Sequence, residues 1–283
     1  MEVSIVTIVR NEERFMISYL DALSNQEFTD FEAIIIDNGS ADHTVNIINN
    51  HKDSRIRLYS IKDNIGLGAL RNEGLQHCKG TYVFFTDGDC MPSRYWLTEG
   101  LRSFKNGDCL GVEGRTFYQY HTIITMSDYN TESLTSGRYM TCNMAYRRDT
   151  LVKLDGFDPN CFHNHEDREL ALRVLELGVI HYCNDMLVCH QNKTLTVGAV
   201  LKRSMRAESI VYIMKIHKKS FRWFERILYP QHLLIIFFPF LLLTHYSYRS
   251  THDVYIGLFK YLSLFLERFV IWRAAIRNRI FLI

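Results

Sequence analysis

"TYVFFTDGDCMPSRYW", residues Thr81 to Trp96, is the stretch on which the reading of this chain turns. An apolar run ends abruptly in two carboxylates, Asp87 and Asp89, with Gly88 between them. A short continuous apolar run of this kind is expected of a strand buried on both faces. Two like charges at its tip fit either of two readings. One is a polar turn. The other is a seat for a divalent cation, because hard carboxylate oxygens suit Mg²⁺ or Mn²⁺. Gly88 would then let the backbone turn sharply and let a ligand approach.

The stretches upstream share the same grammar. "VSIVTIV" (3–9) is a continuous β-branched run, "FEAIIID" (31–37) reads as another buried strand, and "RIRLYSI" (55–61) is a shorter strand. Between them lie helical patterns. Phe15, Tyr19 and Leu23 recur every four residues, "ADHTVNIINNHK" starts with Asp42 placed to cap a helix, and a glycine-punctuated loop leads into "LGALRNEGLQ". Strands alternating with helices of this length predict an α/β fold with a mostly parallel, mixed central sheet. In such sheets ligands sit beyond the carboxyl ends of the strands, which puts Asp37 and Asp87 on one rim. After Arg102 the alternation loosens. "CLGVEGRTFYQY" reads as a strand, "TCNMAYRRDTLVKLDGFD" as strand, helix and turn, and "HNHEDRELALRVLELG" as a helix with carboxylates in its first turn.

The last part of the chain changes character. No Lys, Arg, Asp or Glu occurs between Arg226 and Arg249. A spanning helix needs roughly 20 mostly apolar residues, and this window barely reaches that while containing Pro230, His232, Pro239 and His245. "VYIGLFKYLSLFLERFVIWRAAIRNRIFLI" then mixes apolar and basic residues amphipathically. The domains expected are a catalytic domain over 1–215 and a helical, hydrophobic extension over 216–283. That extension anchors shallowly in a membrane, lies on its cytoplasmic face, or is an unusually apolar soluble helical subdomain, and membrane association is the expectation.

Composition sets the outer limits. The 283 residues are 47% hydrophobic and 23% charged, as in ordinary globular proteins. A net charge of +2 gives no argument for a nucleic-acid partner. Seven cysteines, an odd number with no C-x-x-C, argue against a disulfide framework or a structural zinc site. The opening "MEVSIVTIVRNEE" has neither a basic n-region nor a cleavage site, so no signal peptide is expected.

Other residues carry possible chemistry. Asp37, before Asn-Gly-Ser, either closes an Asx turn or accepts a hydrogen bond from a nucleobase. Arg71, at the start of a helix behind a glycine loop, suits a phosphate, or pairs on the surface with Glu73. Glu166 and Asp167 are helix-start charges or a general base. His163 and His165 form H-x-H without an evident third zinc ligand, and His190 could reach a metal or phosphate.

Taken in series these segments resemble the family 2 glycosyltransferases, whose fold is GT-A, over roughly residues 1–215. The series is strand then N-E, strand then D-N-G-S, a glycine loop with R-N-E-G, strand then D-G-D, then G-F-D and E-D-x-E-L. The resemblance implies inverting transfer from a nucleotide-sugar, UDP being the family's commonest nucleotide, to a glycan or lipid-linked acceptor. It places Asp37 at the base and Val9, Glu12 and Gly88 around the donor. Arg71 falls near the diphosphate, Asp87 at the ribose or metal, and Asp89 at a Mn²⁺ or Mg²⁺ ion, with His190 as a further ligand. Asp167 becomes the base, with Glu166 as the alternative. Two departures stand out: Ile8 and Arg10 where the family often has other residues before the first Asn, and Asn38 where a second Asp is usual. No Q-x-x-R-W follows, so a single-transfer enzyme is expected rather than a processive polymerase. The competing classes are a degenerate nucleotide-sugar-binding scaffold and a nucleotidyltransferase. The second normally needs an N-terminal glycine-rich phosphate loop, which "SIVTIVRNEE" does not supply.

Overall fold

A computed structural model of the chain describes residues 1–63, 65–118, 132–161, 165–191, 195–217 and 250–280. The described residues form two compact units, one built from most of residues 1–191 and the other from 192–283 with two short pieces at 120–130 and 163–165.

The first unit is built on an eight-stranded sheet. Its strands are β1 (Val3–Val9), β2 (Phe31–Asp37), β3 (Ile56–Ser60), β4 (Tyr82–Asp87), β5 (Cys90–Pro92), β6 (Gly111–Tyr118), β7 (Met144–Arg147) and β8 (Ile180–His190). The spatial order is β3-β2-β1-β4-β7-β6-β8-β5. The β3-β2-β1-β4 half is parallel, whereas β7 runs antiparallel to both its neighbours and β5 runs antiparallel to β8. The sheet is thus mixed, as expected, with its parallel half at the N-terminal side.

The helices explain why the first strands are mostly apolar. α1 (Glu13–Ser24) and α4 (Trp96–Asn106) cover one face, where Ile5 and Phe84 pack with Tyr19, Leu23, Trp96 and Phe104. α3 (Leu67–Gln76), α5 (Arg148–Lys153) and α6 (Glu166–Leu177) supply Leu70, Leu151, Leu170 and Val174 against Val6, Ile36 and Phe85 on the other. Both faces are covered, so most strand positions there are apolar, and the buried polar ones such as Ser4, Thr7 and Glu32 are hydrogen-bonded. α3 comes closest to the sheet at Gly74, where an added Cβ would lie 2.5 Å from Val6. α2 (Thr44–Asn50) begins one residue later than Asp42 would place it, with His43 at the cap. Asp42 still accepts the Thr44 N–H at 3.0 Å, from one position further out.

In the second unit α7 (Val197–Met205) and α8 (Glu208–Ile216) group with a long helix, α9 (Thr251–Arg277). Ala207, Ile210, Val211 and Met214 pack against Ile271, Ala274 and Ala275. Ser250 and Asp253 form a reciprocal capping box that fixes where α9 starts. Among the described residues no helix is long and apolar enough to cross a membrane. The apolar window over 227–248 lies outside the described residues.

Candidate active site

Parallel pairing aligns the strand ends. Val9 sits opposite Asp37 and Ile8 opposite Asp87, so β1, β2 and β4 finish together on one rim. The loops beyond them are laced together. Asn38 N–H donates to the Val9 carbonyl at 2.9 Å, Glu12 N–H to Thr44 Oγ1 at 2.8 Å, and Ala41 N–H to Asn11 Oδ1 at 2.7 Å. Asp37 is buried and its carboxylate accepts the Ser40 N–H, at 3.1 Å on the nearer oxygen. Asp37 therefore closes a local turn, bonding three residues on rather than the two of an Asx turn, and Gly39 supplies a positive φ within it.

Arg71 is the hub. It is buried on α3, and its Nη1 donates to Glu166 at the start of α6 in a tight ion pair. Its Nη2 lies 3.6 Å from Asp87. The alternative of a surface arginine paired with Glu73 fails, because burial demands a counter-charge and the topology brings Glu166 to it from 95 residues away. Burial by itself would lower the Arg71 pKa. The nearby charges of Glu166, Asp87 and Asp167 outweigh that and raise it.

The two carboxylates of the E-D pair are thereby separated in role. One Glu166 oxygen serves Arg71, and Oε2 is buried with no hydrogen-bond partner among the described residues. Asp167 forms no ion pair with Arg71 and accepts backbone N–H groups from Arg168, at 2.7 Å, and from Thr141. Its side chain is part-exposed yet set deep among protein groups. Burial, reinforced by Glu166 and opposed by Arg71, pushes its pKa up to about 7.

Asp89 lies on the other side of Gly88. Its Oδ2 is 3.7 Å from Nε2 of His190, and both residues are buried. Antiparallel pairing of β5 with β8 sets Cys90 opposite His190 and so creates this neighbourhood. His190 Nδ1 lies 3.0 Å from the Gln191 carbonyl, which can only accept. Nδ1 therefore donates to that carbonyl, which turns Nε2 toward Asp89. Asp89, Cys90 and His190 bring one ligand atom each within 4.8 Å of one another. Burial pushes the Cys90 thiol well up, leaving one carboxylate and one imidazole as the donors. That set fits Mn²⁺ or Mg²⁺ better than a thiolate-loving metal. Asp87 does not join the group and instead faces Arg71. At Gly88 the space a Cβ would take is filled by Val9, 2.7 Å away. His163, of the H-x-H pair, lies outside the described residues.

One residue carries no sequence signal at all. Glu113, in mid-β6, is buried and accepts the backbone N–H groups of Gly137, Arg138 and Tyr139 at 2.7, 3.0 and 2.8 Å. It clamps the loop that leads to Thr141, and hence to Asp167. The glutamate and its loop are more than 20 residues apart, so only the fold reveals the pairing.

The description "Glycosyl transferase family 2" matches residues 4–154. The chain belongs to glycosyl transferase family 2. The expected resemblance thus holds, and the family makes this chain a transferase. It is 30% identical over 156 residues to an uncharacterized glycosyltransferase of Haemophilus influenzae, covering 54% of this chain and 57% of that one. It is 25% identical over 218 residues to the glycosyltransferase AglE of Haloferax volcanii, covering 72% and 71%. The chain therefore spans little more than half the length of the first of these relatives. Among solved structures it is similar to Staphylococcus aureus TarS 1–349 in complex with UDP-GlcNAc, at TM-score 0.58 and 15% identity over 99% of this chain and 93% of that one. It is also similar to the Pyrobaculum calidifontis mannosyltransferase PcManGT in complex with GDP-Man and Mn²⁺, at TM-score 0.61 and 13% identity over 96% and 87%. At these identities the likeness establishes the GT-A fold.

Proposed function

We propose that this family 2 chain transfers a sugar from a nucleotide-sugar, UDP-linked before others, to an acceptor hydroxyl with inversion of the anomeric centre. The observation that carries the proposal is the split of the E-D pair by Arg71. One carboxylate is consumed as the counter-charge of a buried guanidinium. Its neighbour is left outside that ion pair, with a proton affinity matched to neutral pH.

In this reading Asp167 accepts the proton of the acceptor hydroxyl while the hydroxyl oxygen attacks the anomeric carbon. The bond from that carbon to the diphosphate oxygen breaks, and the departing nucleotide keeps the electron pair. Arg71, held by Glu166, aims positive charge at the rim where the departing diphosphate gains negative charge. Asp89 and His190 hold the Mn²⁺ or Mg²⁺, which supplies Lewis-acid relief of the leaving group's charge when bound. Asp87 takes the ribose, and Asp37, Val9, Glu12 and Gly88 surround the nucleotide. UDP-GlcNAc in the TarS complex, and GDP-Man with Mn²⁺ in PcManGT, support this class of donor and metal. The acceptor is a lipid-linked or membrane-proximal glycan. Support for it comes from the basic and apolar C-terminal region, which acts at the cytoplasmic face of a membrane.

The test is UDP release from a panel of UDP-sugars with Mn²⁺. Wild type is expected to release UDP, and Asp167→Asn to release it about 10²–10⁴-fold more slowly with little change in UDP affinity. Near-normal turnover by Asp167→Asn would remove the base assignment. UDP binding without turnover in the wild type would make the chain a binding module instead.

A further inference from the structure

We infer that the outward face of α9 is a docking surface for an anionic lipid bilayer. This deepens the membrane-proximal part of the proposal above and rests on it only for the acceptor's location. The surface itself is a property of the helix.

Six large apolar side chains of α9, Leu258, Leu262, Phe265, Phe269, Trp272 and Ile276, are exposed at alternating spacings of four and three. Val254 and Tyr255 extend the row by one turn. Residues 254 to 276 span roughly 33 Å at the helical rise, so the stripe is a long continuous face. Exposure reaches 62% at Phe269 and 78% at Ile276. Scattered exposed apolar residues are ordinary, but a contiguous patch of this extent marks an interaction site.

Charge identifies the occupant. The stripe carries no carboxylate. Of the acids on α9, Asp253 is buried in the capping box and Glu267 lies on the opposite side of the helix, partly buried. Arg273 and Arg277 are exposed along one margin, and Arg279 is exposed in the turn beyond. On α7, Arg203 lies near enough to Glu267 to oppose its charge, on the side of α9 away from the stripe. Aromatic and aliphatic side chains bordered by arginines are the make-up of an interfacial helix on acidic headgroups. The four-three spacing would also serve a coiled-coil seam with a second copy. Such seams are flanked by charges of both signs, which this face does not have. The opposite face of α9 is already packed on α7 and α8, so only the outer stripe is offered, for shallow docking.

The experiment is co-sedimentation of the full chain, without sugar donor, with vesicles of phosphatidylcholine alone or mixed with phosphatidylglycerol. Omitting the donor keeps a failure here distinct from a failure of sugar transfer. Wild type is expected to pellet with the mixed vesicles and to be released by salt. Arg273→Gln and Arg277→Gln should each weaken binding roughly fivefold. Leu262→Glu with Phe269→Glu should abolish it. All of these positions are exposed, so melting temperatures should stay at the wild-type value, which separates lost docking from lost folding. Wild type remaining in the supernatant with both vesicle types would overturn the inference. So would a dimer, seen by light scattering, that the Leu262→Glu, Phe269→Glu variant turns into monomer.

Discussion

Arg71 is a buried cation whose charge is balanced by residues from two other elements. Removing it leaves Glu166 buried with neither oxygen partnered, a situation that typically costs about 3–5 kcal/mol. Arg71→Met should therefore lower the urea midpoint strongly, and adding Glu166→Gln should restore part of the loss. Asp167 makes a different prediction. Its folded pKa, about 7, stands above the ordinary aspartate value of 3.8. The folded state thus holds this proton more tightly than the unfolded chain does. The associated stability is complete below the unfolded value and is lost as pH rises through about 7. Asp167→Asn should then gain melting temperature over wild type as pH climbs from 4 to 8, while kcat/KM of the wild type rises over the same limb. Loss of function with gain of stability separates a catalytic carboxylate from a structural one. The sequence placed Asp37, Asp87, Asp89 and the E-D pair well, because each marks the end or the start of an element. Only the family resemblance ranked Asp167 ahead of Glu166, and nothing in the residues themselves divided them. Adjacent helix positions point about 100° apart, and only the tertiary fold determines which one meets Arg71.

At the scale of elements, the rim depends on close approaches between loops and strands. Gly88→Ala would drive a methyl into Val9, 2.7 Å away, and should destabilise by about 1–3 kcal/mol, with partial recovery on adding Val9→Ala. The clamp at Glu113 is a second such device. Glu113→Gln turns one acceptor into a donor facing three backbone N–H groups, and should destabilise by about 1–3 kcal/mol. It should also move the acid limb of the pH–rate profile upward, since the Thr141 N–H at the end of that loop helps keep Asp167 ionised. β1, β2 and β4 and their helices were legible because both-face burial writes nearly continuous apolar runs, and β3, a half-buried edge strand, was legible as a shorter run. β5 was not, since three residues show no period. Nor was the full length of β8, whose middle is exposed and irregular against β6. The pairing of these two strands brings His190 beside Asp89, so the two residues named for one ion from the sequence owe their proximity to strands that the sequence did not show.

At the scale of the whole molecule, a mixed sheet gathers the ends of β1, β2 and β4 on one rim, and a separate helical unit offers an apolar, arginine-edged face. The family match and the GT-A likeness fix the class of the first. The central claim is that Asp89 and His190 hold a divalent cation that binds together with a nucleoside diphosphate. Calorimetric titration of UDP into the full chain, with and without Mn²⁺, tests it most directly. Wild type should bind UDP at least about tenfold more tightly with Mn²⁺, a coupling of roughly 1.4 kcal/mol, and Asp89→Ala should lose that enhancement while keeping its fold. Equal UDP affinity with and without Mn²⁺ in the wild type, or an enhancement that survives in Asp89→Ala, would contradict the account.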